Sequence, residues 1–209
     1  MKNLLILITM LVTPASFAAT ATYEVTVQSN WNANDHLAVP GPAHFSPVTA
    51  VAHSAGYVLL PVGGVASPGL ESLAEMGSTA TIEQEIAAAG DSIGSLKITE
   101  NQFVVPMPSQ TFEIEVSEKA PYLSLVSMIA PSPDWVVGIN SLKLYDKDAG
   151  FSDGAERDLF AIDAGTEGGD IGGNFGLNNP ATVPQGLIGE LSGEGFNAPF
   201  AKVIIRKVN

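Results

Sequence analysis

The chain has 209 residues, enough for one domain or at most two, and 45% of them are apolar, which provides a sizeable core. Its 22 acidic against 9 basic residues, a formal charge of −13, neutralise no phosphates and offer no polybasic anchor, which excludes nucleic acid and anionic membrane surfaces as partners. The absence of cysteine removes disulfides, thiolate nucleophiles, zinc–thiolate sites and iron–sulfur clusters, and three histidines do not make a histidine-rich metal site, so oxygen chemistry suited to hard cations such as calcium is what remains.

In chain order, Met1-Lys2-Asn3 supplies one positive charge, Leu4 to Val12 is apolar apart from Thr9, and Pro14 ends the run. Ser16-Phe17-Ala18 places small residues where a signal peptidase needs them. Residues 1–18 read as a secretory signal peptide and 19–209 as a single domain. The apolar run is short for a membrane span, and no later segment reaches spanning length. An exported product, periplasmic or secreted from a bacterium, follows; without cysteine it gains nothing from an oxidising compartment.

The mature chain reads mostly as β. Thr22 to Val27 alternates, as a half-buried strand does. The three histidines, His36, His44 and His53, follow with no triad-like spacing to a serine, and structural roles are read for them. Ser67-Pro68 opens a helix that Gly77 closes, with Leu70 and Leu73 on its inner face. A second helix capped by Ser78 or Thr79 runs to about Ala89, with Ile82 and Ile86 inward and Gly90 as its stop. Glu71, Glu75, Glu83 and Glu85 fall on the exposed sides of these helices.

Thr111 to Val116 then alternates cleanly, with Phe112, Ile114 and Val116 inward and both glutamates outward. Tyr122 to Ile129 is apolar enough for a central strand. Trp135 to Val137 and Ser141 to Tyr145 read as two strands separated by Gly138, and Arg157 to Ile162 and Ala201 to Val208 complete the set. In the last, Ala201, Val203 and Ile205 share the inner face. Many short strands with Gly/Pro-rich turns predict a mainly β fold, an antiparallel β-sandwich with one or two short inserted helices. Gly165 to Gly176 holds six glycines and reads as a long loop, of the kind that carries function.

Gly150-Phe151-Ser152-Asp153-Gly154 matches the nucleophile elbow of α/β-hydrolases, but that motif needs a helix after the serine and a histidine later in the chain. Here a strand pattern follows and the last histidine is His53, so the segment is a polar hairpin loop. Its neighbours Asp146, Asp148, Asp153, Glu156 and Asp158 lack the glycine and glutamate of an EF-hand at the required positions, and read as a solvated acidic turn.

Pro131 to Gly138 joins two strands with Asp134 in the loop, and Asp163-Ala164-Gly165-Thr166-Glu167 begins at the end of another. Asp163 and Glu167 lie four apart across a glycine turn. Three carboxylates on two neighbouring loops, with loop carbonyls, match what a calcium ion takes. Spacing leaves a second reading open, in which Asp134 and Asp163 accept backbone N–H groups in turns.

These motifs resemble the spondin N-terminal domain family. The resemblance runs from Tyr23-Glu24-Val25-Thr26-Val27 through Phe45-Ser46-Pro47 and His53, Ala66 to Leu70, Leu73 to Gly77, Ser132-Pro133-Asp134-Trp135-Val136-Val137-Gly138, Asp163 to Glu167 and Ala201 to Arg206. It implies a sandwich similar to a C2 domain. It also implies one calcium ion, bound in the family's extracellular animal members through carboxylates that fall here on Asp134, Asp163 and Glu167. Animal members commonly have aspartate where Glu167 stands, and cysteine in the strand after Ser-Pro-Asp-Trp, where this chain has Leu144 and Tyr145. The function implied is a secreted, calcium-binding adhesion or ligand-binding module with an extracellular glycan or protein as partner. The alternative is a secreted glycan hydrolase using paired carboxylates such as those on the helices, which needs one acid of raised pKa beside another in a cleft.

Overall fold

The computed structural model describes residues 18–36, 38–105, 108–167 and 186–209. The expected leader, apart from Ala18, and the glycine-rich loop beyond Glu167 lie outside the described residues. The strands are β1 (Thr20–Ser29), β2 (His44–Phe45), β3 (Thr49–His53), β4 (Ile93–Ile98), β5 (Phe103–Val104), β6 (Ser109–Ser117), β7 (Tyr122–Ala130), β8 (Trp135–Lys143), β9 (Tyr145–Asp146), β10 (Gly150–Phe151), β11 (Gly154–Leu159), β12 (Ile162–Asp163), β13 (Gly189–Glu190) and β14 (Ala201–Lys207). Helices α1 (Pro68–Met76) and α2 (Ala80–Ala88) lie between β3 and β4.

Two antiparallel sheets carry the fold. One runs β11-β14-β1-β6; the other runs β13-β12-β8-β7-β2-β5, with β3 also on β7 and β4 on β3. Between them lies the main core, where Tyr23, Val25, Ile114 and Val203 of the first sheet meet Phe45, Leu125, Trp135 and Val137 of the second. The far face of the second sheet is covered by the helices, with Val51, Val126 and Val136 packed against Leu70, Leu73, Ile82 and Ile86. The first sheet therefore has one wet face and alternates in sequence, as β6 shows with Phe112, Ile114 and Val116 buried and Glu113 and Glu115 exposed. Strand β7 has both faces covered and is buried from Leu123 to Ala130, which is why it reads as a continuous apolar run.

The helix ends follow their sequence signals. The Ser67 hydroxyl accepts Leu70 N–H at 3.2 Å, Pro68 is the first helical residue, and Gly77 closes α1 at φ 66°. For α2, Thr79 holds the N-cap position but its side chain makes no cap hydrogen bond.

Three expectations need correction. Strand β8 runs through Gly138 rather than stopping there, because this glycine marks a close approach: a Cβ on it would stand 2.6 Å from the Leu125 carbonyl oxygen. The expected strand from Ser141 to Tyr145 ends at Lys143, and Tyr145–Asp146 folds back on Gly150–Phe151 as a hairpin. The expected strand from Arg157 to Ile162 divides between sheets. Leu159 pairs with Ala201 in the first, whereas Ile162 pairs with Val136 in the second. This crossing carries the chain to the end of the sandwich where Asp134 lies.

Asp146 is held inside its own turn. Its Oδ1 accepts Asp148 N–H at 2.9 Å, its other oxygen pairs with Lys143, and its carboxyl is pulled down to about 2, first by Lys143. Ser152 precedes β11, so the strand after the hydrolase-like motif is present and the helix is not.

Candidate metal centre

The loop after β7 is shaped by Ser132, whose hydroxyl accepts Trp135 N–H at 2.9 Å and turns the chain into β8. Asp134 precedes that strand. Its carbonyl accepts Ala164 N–H at 3.1 Å, and Trp135 pairs with Asp163, so the two loops are zipped together at the point where both acids sit.

Asp134 is 1% exposed and Asp163 7%. Burial of a carboxylate demands compensation, and Asp134 receives it from the loop after β12. Its Oδ2 accepts Thr166 N–H at 2.8 Å, the Thr166 hydroxyl at 3.3 Å and Glu167 N–H at 3.0 Å. Asp163 Oδ1 accepts Gly165 N–H at 2.6 Å, a turn that requires glycine twice over. Gly165 has φ 69°, and a Cβ there would stand 2.6 Å from the Leu187 carbonyl oxygen.

The Asp163 carboxyl is pushed up to about 6 by burial, against the Gly165 N–H, with the adjacent Asp134 charge and hydrogen bond pushing the same way. Two buried acids thus share one small space. A proton relieves the pair below about pH 6, and above it a cation would lower the repulsion. The two carboxyls are within hydrogen-bonding reach of each other.

Of the three expected ligands, the fold brings Asp134 and Asp163 together and leaves the Glu167 side chain exposed, with its N–H committed to Asp134. Among the described residues no group of three or more His, Cys, Asp or Glu side chains is assembled around one point. Of the two readings left open by spacing, the structure shows the acids accepting backbone N–H groups, and it sets the two carboxyls side by side. Thr166 is the residue that sequence reasoning passed over as a spacer. Its two donors on one Asp134 oxygen explain why threonine follows glycine in this motif.

Two of the three histidines are packed inside the sandwich, and His44 is partly exposed. His36 and His53 are fully buried. His53 Nδ1 lies 2.8 Å from the Ser54 carbonyl and Nε2 2.8 Å from the Ser124 hydroxyl, and burial lowers its pKa.

An antiparallel sandwich whose buried acids gather in two zipped loops at one end is the architecture of a small loop-site β module. The family profile described as Spondin_N matches residues 21–201, and the chain belongs to the spondin N-terminal domain family. It is 33% identical to Spondin-2 of Homo sapiens over 190 residues, which is 88% of this chain and 56% of that protein. It is 33% identical to Spondin-1 of Gallus gallus over 180 residues, covering 83% of this chain and 22% of that protein. Spondin-2 of Rattus norvegicus is 31% identical over 185 residues. The chain thus spans about half of the Spondin-2 proteins and about a fifth of the Spondin-1 proteins it matches.

Proposed function

We propose that this chain is a secreted, calcium-binding spondin-type module that serves in adhesion or ligand binding, with an extracellular glycan or protein as its partner. The observation that carries the reading is the Asp134–Asp163 pair, two buried carboxyls side by side with the Asp163 group pushed up to about 6. Asp134 and Asp163 would hold the ion, with the exposed Glu167 carboxylate able to reach in from outside. Calcium would supply positive charge between the two carboxylates and offset their mutual repulsion. Thr166, Gly165 and the Ala164–Asp134 contact do the positioning, because they fix both carboxyl groups before any ion arrives.

The placement of acids supports a module over the glycan hydrolase. Asp134 and Asp163 are the buried acids among the described residues, and both sit at one loop end. On the helices, Glu71 and Glu83 are exposed, whereas Glu75 is partly buried and Glu85 is half-buried and turned onto α1, not solvent-facing as the sequence led us to expect. The helices therefore present no buried acid–base pair.

Thermal melts in millimolar calcium and in chelator test the reading. The wild-type chain should melt higher in calcium, by about 2.7 kcal/mol of added stability at a hundredfold excess over Kd. Asp163→Asn should remove most of the difference. Identical melting temperatures for the wild type in both buffers would end the proposal.

A further inference from the structure

A cavity of about 330 Å³ lies between α2 and the loop that follows β3, far along the chain from Asp134 and Asp163. Leu59 and Ile82 form its apolar wall, and Tyr57, Ser67 and Glu85 bring polar atoms to it. Glu85 Oε2 accepts the Ser67 hydroxyl at 2.6 Å and Oε1 accepts Gly69 N–H at 2.8 Å, so the carboxylate is fixed in place by neutral donors. Among the described residues no Lys, Arg or His pairs with it. Its negative field reaches the cavity: the Tyr57 hydroxyl is pushed up to about 12, first by burial and then by Glu85.

The rim is apolar and rigid. Val58 and Val65, which line the cavity, are 50% and 69% exposed, and Val62 in the same loop is 55% exposed. Gly63 N–H donates to the Ile188 carbonyl at 2.7 Å and Ile188 N–H donates to the Gly64 carbonyl at 2.8 Å, so the loop is tied down on both sides of its tip. An anchored carboxylate at the back, an aromatic ring at the side and an apolar collar select a cation carried on an apolar stem. Each Glu85 oxygen already accepts one hydrogen bond, so the open two-oxygen edge that a guanidinium fork requires is partly spent, whereas a compact ammonium needs only a remaining lone pair. A small free amine would leave the valine collar in water; a protein segment would cover it. The charge of −13 steers a basic partner towards this chain.

We propose that this cavity is a docking site for a lysine side chain of a partner protein, with its stem against Tyr57 and Val65 and its ammonium at Glu85. The cavity shares no lining residue with the candidate metal centre, and the proposal does not rest on the calcium reading. The test is a titration of the isotope-labelled full chain, in chelator, with Ac-Val-Lys-Val-NH2, its norleucine counterpart and n-butylammonium. The lysine peptide should give saturable amide shifts centred on Val58 to Val65, with at least tenfold tighter binding than either comparison compound. Glu85→Gln, whose amide can still accept from Gly69 and meet Ser67, should reduce the lysine peptide to the norleucine level. Val65→Ser, at an exposed position, should weaken the lysine peptide without lowering the melting temperature. Equal binding of the lysine and norleucine peptides, tighter binding of n-butylammonium than of the peptide, or no saturable shifts at all would each overturn the proposal.

Discussion

The carboxyl group of Asp163 lies against that of Asp134, and both are buried at the seam where β12 pairs with the start of β8. Each acid is anchored by N–H groups of the same short loop, so neither can swing away to relieve the other.

That arrangement fixes a pH dependence. An acid whose folded pKa, about 6, exceeds its ordinary value of 3.8 holds its proton more tightly folded than unfolded. In metal-free protein its contribution to stability is therefore absent at high pH, appears as pH falls through about 6, and is complete below 3.8. Relative to Asp163→Asn, the wild type in chelator should gain roughly 1.4 kcal/mol between pH 7.5 and pH 5. Urea midpoints at both pH values measure it, and a constant gap between the two proteins would contradict the shared-charge account. In calcium the trend should reverse, because protons then compete with the ion.

The three expected ligands should separate by mutation. Asp134→Ala strands the Thr166 and Glu167 N–H groups and should cost about 3 kcal/mol or more of stability, as well as any calcium response. Asp163→Ala should remove most of the calcium response at smaller cost, since it also relieves repulsion. Glu167→Ala keeps the N–H that Asp134 uses and should retain most of the response. A Glu167→Ala protein as calcium-insensitive as Asp163→Ala would place Glu167 among the essential ligands. Calorimetric calcium titrations, paired with urea melts, read both quantities.

Gly69 is where α1 and α2 touch. A Cβ there would stand 2.6 Å from the Ile82 Cα and would also collide with Glu85. Backbone cannot yield as a flexible side chain does, so the helices must part. Gly69→Ala should cost about 2–3 kcal/mol by urea denaturation, although alanine is the better helix former. A neutral or stabilising effect would show that the helix pair is looser than this contact implies.

Two serines with shielded hydroxyls should behave oppositely. The Ser124 hydroxyl meets His53 Nε2 and accepts Ser141 N–H at 2.8 Å, where Ser141 holds a left-handed φ of 54°. Ser124→Ala leaves both neighbours unpaired and should cost about 2 kcal/mol. The Ser152 hydroxyl is buried without a partner among the described residues. Ser152→Ala should be neutral or slightly stabilising, and it should leave binding unchanged. Chemical denaturation of the two variants side by side checks both expectations.

How much of this was legible in the sequence follows from how many faces each strand buries. Strands β6 and β14 have one dry face, so their alternation named the inward residues Phe112, Ile114, Val203 and Ile205 correctly. The caps of α1 were equally legible, because Ser67 and Gly77 act within a few residues of their own positions. Strand β3 was not: Thr49 to His53 is buried throughout between β4 and β7, and a short alanine-rich run of that kind has no period to read. At the candidate centre, sequence determined which acids stand at loop ends, and the family motifs placed Asp134 and Asp163 in one site. Only the tertiary structure decided that Thr166 and Glu167 serve Asp134 through backbone N–H groups, and that Glu85 turns onto α1 and away from solvent. Periodicity reports whether an element buries one side or two. It carries no information about which distant loop will supply the donors that a buried carboxylate must have, because that depends on pairings such as Trp135 with Asp163, formed across the sheet and not along the chain.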